Sequence, residues 1–87
     1  MSVFRFDKNS PLTQDQRERY MIGETNERHF GNGGQMVLIE YPEAVYLRDD
    51  QDNTGILYTG SKDKHKAFEE VMRLMNLHVN EHPAPTG

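Results

Sequence analysis

Three short apolar runs constrain the fold more than any other feature. Gln35 to Tyr41, Ala44 to Arg48 and Ile56 to Thr59 are separated by Pro42-Glu43 and by Asp49-Asp50-Gln51-Asp52-Asn53-Thr54-Gly55. Each run is too short for a helix, and each break is turn chemistry: Pro at one, Asp, Asn and Gly at the other. The runs predict an antiparallel meander. In the first, Val37, Ile39 and Tyr41 point one way and Met36, Leu38 and Glu40 the other. Both sides are mostly apolar, which marks a central strand or a covered one. In the second, Val45 and Leu47 oppose Ala44 and Tyr46. Gly60 ends the third, and Ser61 is placed to cap a helix from Lys62 to about His78. Phe68, Val71, Met72, Met75 and Val79 make its 3,4-spaced apolar stripe. Residues 36–79 hold 20 of the 30 hydrophobic residues, so the core belongs here.

The N-terminal third is less regular. Val3 to Asp7 alternates and sets Phe4 and Phe6 on one side of a short strand. Asn9-Ser10-Pro11 breaks it. Two helix starts follow: Ser10 as N-cap with Pro11 behind it, or Thr13 with Gln16 as a capping box. Leu12, Gln16 and Tyr20 would be the weak apolar face of that helix, although Tyr20-Met21-Ile22 equally suits the start of a strand. Gly23 to Gln35 reads as loop. Its glycines fit no phosphate-binding pattern, because no Lys-Ser/Thr follows and a strand comes next. The expected architecture is α+β: a small antiparallel sheet of three to four strands packed against a C-terminal helix. One domain spans 1–79, and a disordered tail over 80–87 carries Pro83 and Pro85.

A chain of 87 residues buries only about 60% of its unfolded surface. Its hydrophobic share is low, at 34%. With the Ile56 to Thr59 strand expected at an open sheet edge, this predicts a homodimer. There is no cysteine, hence no disulfide and no thiolate metal site. No apolar run approaches the roughly 18 residues of a spanning helix, and the first residues lack a signal-peptide core. A cytoplasmic protein is expected.

Charge is distributed unevenly. Residues 1–35 and 61–87 are each balanced, while residues 36–60 hold Glu40, Glu43, Asp49, Asp50 and Asp52 against Arg48 alone. The whole net charge of −4 therefore lies on the meander. That excludes the basic footprint of a duplex-binding protein. The meander also brings the helix C-terminus down to the acidic loop, and Lys62, Lys64 and Lys66 to the helix N-terminus. Neither arrangement favours the helix dipole. Arg48, Asp49, Asp50, Asp52 and Glu43 are thus the candidate partner-binding residues.

Catalytic and metal patterns do not form. His78 and His82 lie four apart, but Pro83 follows directly, and no cysteine supports a zinc site. The acidic loop does not carry a glycine and a distal glutamate at the spacing of a calcium loop. Glu69 and Glu70 fall on different helix faces. A non-enzymatic protein without metal or cofactor is expected.

One family resemblance runs through the same stretch. Asn32-Gly33-Gly34-Gln35 before the first strand, Val45-Tyr46-Leu47-Arg48-Asp49 with Asp52 after it, Gly55-Ile56-Leu57-Tyr58, and Ala67-Phe68 on the helix resemble the BldB-like family of small actinobacterial regulators. The family's upstream tryptophan and serine pair and its first-strand cysteine have no counterpart here. The resemblance implies an accessory protein, often dimeric, that works through helix-turn-helix transcription regulators. It points to Arg48, Asp49 and Asp52.

The expected function is regulation by binding a basic protein partner. An inhibitor of the mobile-element kind, whether anti-defence or DNA-mimicking, would need the same features. A third reading, a single-strand nucleic-acid binder, would stack bases on Tyr46 and Tyr58 beside the three lysines.

Overall fold

The computed structural model describes residues 2–81, with backbone only at residues 32 and 76–81. The elements are β1 (Ser2–Phe6), α1 (Gln14–Tyr20), β2 (Asn26–Phe30), a 3-10 turn (Asn32–Gly34), β3 (Met36–Tyr41), β4 (Ala44–Asp49), β5 (Thr54–Thr59) and α2 (Lys64–Glu81). The five strands form one antiparallel sheet in the order β1-β5-β4-β3-β2. The α+β architecture and the β3-β4-β5 meander are as the apolar runs predict. The sheet is larger than the expected three to four strands, because β2 joins it from the stretch expected as loop.

β2 arises within the stretch expected as loop. Asn-Glu-Arg-His-Phe has no apolar alternation, and Phe30 is its one partly buried residue, packed against the α2-side core. The strand exists because β3 offers it an edge, with Arg28 opposite Leu38 and Phe30 opposite Met36. β1 pairs with β5, Phe4 opposite Leu57 and Phe6 opposite Gly55. The Ile56 to Thr59 segment is therefore interior, between β4 and β1. The open edge on which a homodimer was expected does not exist there.

Strand parity sorts the core into two layers. Leu38, Val45, Leu47, Ile56 and Tyr58 face α2, where they meet Ala67, Val71 and Met75. Ala44, Tyr46 and Leu57 face the other way, with Leu12, Phe4, Phe6, Tyr20, Ile39 and Tyr41 around them. Of the two possible starts, α1 uses the capping box: Thr13 Oγ1 accepts from Gln16 N–H and the Gln16 side chain accepts from Thr13 N–H. α2 begins at Lys64, not Lys62. Its cap is Asp63 rather than Ser61, and the Asp63 carboxylate accepts from the N–H groups of His65 and Lys66. An acid at that position offsets the lysines gathered at the positive end of the dipole. The helix continues through residue 81, beyond the expected end near His78. Residues 82–87, which include His82 and most of the expected tail, lie outside the described residues.

Gly55 is a fixed point of the sheet. A Cβ there would stand 2.2 Å from Phe6 Cζ and 2.5 Å from the Leu47 carbonyl oxygen. The missing side chain lets the Phe6 ring lie across its cross-strand partner and stack on Tyr46, with centroids 5.5 Å apart and planes 7° from parallel. An aromatic ring laid over a facing glycine in this way makes a recurrent cross-strand pair.

Candidate functional site: the acidic turn between β4 and β5

The turn from Asp50 to Asn53 closes the β4-β5 hairpin, with Asp49 paired to Thr54 in register. Asn53 takes φ of 55°, the left-handed conformation that asparagine tolerates better than most residues. Asp49 continues the inward row of Val45 and Leu47. It is 6% exposed, and its carboxylate accepts from Gln51 N–H at 2.9 Å. Asp50 N–H donates to the Gln35 carbonyl at 2.8 Å, tying the turn to the segment before β3.

Arg48 and Asp50 occupy the opposite side. Arg48 Nε donates to Asp50 Oδ1 at 2.5 Å, and its Nη2 reaches Oδ2 at 3.4 Å. The guanidinium lies 6.0 Å from the Tyr46 ring centroid, so Phe6, Tyr46 and Arg48 form a continuous row that orients Asp50. The Asp50 hydrogen bond holds the Arg48 guanidinium above its ordinary value, with partial burial working against it. Asp50, Gln51, Asp52 and Asn53 are all exposed. Three acids against one base leave the turn with a formal charge of −2.

The structure thus brings four of the five candidate residues together and separates them by role. Asp49 is buried and builds the turn. Asp50 is exposed and held by Arg48, and Asp52 is exposed near the tip. Glu43 is elsewhere, in the Pro42-Glu43 turn at the far end of the β3-β4 hairpin. β4 parity alone already puts Asp49 on the inward side. The row from Phe6 through Tyr46 carried no local signal, because Phe6 reaches Tyr46 only through the β1-β5 pairing.

α2 runs along the sheet from the Pro42 end toward the end that carries the turn. Leu74 and Met75, far along α2, share a recess of about 270 Å³ with Arg5, Phe6, Thr54 and Ile56, at the same end of the sheet as the turn. Lys64 lies at the other end, beside Glu40, Tyr41 and Pro42. Tyr46 and Tyr58, 4% and 7% exposed, sit on opposite faces of the sheet, so they do not form one stacking surface. His29 pairs with Glu27 and His65 with Glu69. Among the described residues no group of three or more His, Asp or Glu is placed to hold a metal ion, and no helix is long and apolar enough to cross a membrane.

The fold and site define a small α+β domain with a pre-shaped acidic hairpin turn. Compared with known proteins, the chain matches no family model, no curated protein and no solved structure.

Proposed function

We propose that this protein is a small, non-enzymatic regulatory module that binds a basic protein partner through the β4-β5 turn. The observation that supports it is a separation of labour within one turn: Asp49 serves local structure, while Asp50 and Asp52 stay exposed and Arg48 fixes the position of Asp50. Fixing a charged group before binding lowers the ordering cost of association. A net −2 turn concentrates negative potential, which steers a cationic partner and makes its capture salt-sensitive. The resemblance to the BldB-like regulators makes a helix-turn-helix transcription regulator the partner class, acting in the cytoplasm.

The test is co-purification with the tagged chain at low and high salt, comparing the native sequence with the doubly substituted D50N/D52N chain. The expected result is a basic DNA-binding protein retained by the native chain, lost at high salt, and lost from the variant at any salt. An identical set of captured proteins from both chains would overturn the proposal.

A further inference from the structure

The two edges of the sheet are built differently. β2 forms one, and its Glu27, Arg28 and His29 are all exposed. Each is engaged: His29 with Glu27 at 2.7 Å, and Arg28 with Glu40 at 3.3 Å while lying 5.8 Å from the Phe68 ring centroid. Charged side chains of this kind discourage another strand from adding. β1 forms the other edge with the sequence Ser-Val-Phe-Arg-Phe, in which Arg5 is the only charge. Val3 is 43% exposed, one of two large apolar residues among the described ones to stand so far into solvent. Asp7 gives both its N–H and its carbonyl to Ser10, which closes the strand's far end and leaves Ser2 to Phe6 as the open edge among the described residues.

We propose that β1 pairs antiparallel with β1 of a second copy, joining two five-stranded sheets into one of ten. A strand paired antiparallel with its own copy obeys a two-fold axis, so every contact is made twice and the assembly closes at two chains. The whole sheet is already antiparallel, and the added pair continues its pattern. Centred on Phe4, the register sets Phe4 against Phe4 and Val3 against Arg5, with no like charges opposed. The same operation on β2, centred on Arg28, would oppose two guanidinium groups. Phe4 lies 5.9 Å from Tyr20, so the paired rings extend an existing aromatic group. A seam of five residues falls short of the roughly 1,200–2,000 Å² of a standard interface, which makes this a weak, concentration-dependent dimer. The two acidic turns point to opposite ends of it, so the inference stands apart from the function proposed above.

Sedimentation of the full chain from about 10 μM to about 1 mM decides it. The expected result is a monomer–dimer equilibrium whose midpoint moves at least tenfold higher for Val3→Lys, while His29→Lys on the other edge leaves it in place. A monomer across the whole range overturns the proposal, as does a dimer that Val3→Lys leaves intact. Amide exchange on the unsubstituted chain is independent of how the variant folds. Protection within Ser2 to Phe6 that rises with concentration supports the β1 seam, and protection that does not rise contradicts it.

Discussion

The two faces of the sheet are covered by different means. On one, the 18-residue α2 seats Ala67, Val71 and Met75 on five buried strand residues. On the other, the seven-residue α1 buries none of its own residues. Cover there comes from Leu12, just ahead of the helix, and from the rings of Phe4, Phe6, Tyr20 and Tyr41. The α2 face is a continuous apolar layer and should carry the global stability. The α1 face is a patchwork on a short helix and should open first. The acidic turn belongs to both, since Asp49 continues the α2-side row while Arg48 and Asp50 continue the other.

The largest effect expected is on the α2 face. Leu47→Ala removes a fully buried side chain at the centre of β4 and should cost about 2–5 kcal/mol in urea unfolding. A loss below about 1 kcal/mol would mean that the α2 layer is not the core.

Next comes Gly55→Ala, expected to cost about 1–3 kcal/mol. The Phe6 ring can swing aside but the Leu47 carbonyl cannot. Phe6→Ala/Gly55→Ala should therefore remain less stable than Phe6→Ala alone. Equal stability of the two would place the whole clash on the ring.

Thr13→Ala sharpens the contrast between faces. It removes the α1 capping box, worth about 1 kcal/mol. In native-state hydrogen exchange, the amides of Arg17 and Met21, which donate to the Thr13 and Arg17 carbonyls, should exchange faster while those of β3 to β5 keep their protection. Faster exchange throughout would show the two faces opening as one unit.

How much of this was legible in the sequence follows from the same contrast. The β3-β4-β5 meander and α2 bury one side each at regular spacing, so alternation and the 3,4 stripe mark them directly. β2 was not legible because an edge strand of polar residues owes its existence to β3 rather than to its own pattern. β1 was legible as a strand but not as the neighbour of β5, since that pairing joins distant parts of the chain. Within the site, Asp49 was grouped with Asp50 and Asp52 because a run of acids reads as one charged patch, whereas the pleat of β4 sends alternate residues to opposite faces. Glu43 joined the group on charge alone, and the length of the hairpin separates it.

The smallest stability effect is expected where the binding effect is largest. The Arg48–Asp50 pair is half-exposed, so Asp50→Asn/Asp52→Asn should change stability by less than about 0.5 kcal/mol. Asp49→Ala removes a buried turn acceptor and should cost about 1 kcal/mol, or roughly 4–8 °C in a domain of this size. Thermal melts of these two variants beside quantitative co-purification at low salt test the division of the turn most directly. D50N/D52N should melt with the native chain and lose its basic partner, while Asp49→Ala should melt several degrees lower and keep it. Partner retention by D50N/D52N, or a melt that falls several degrees in it, would contradict this division of the turn.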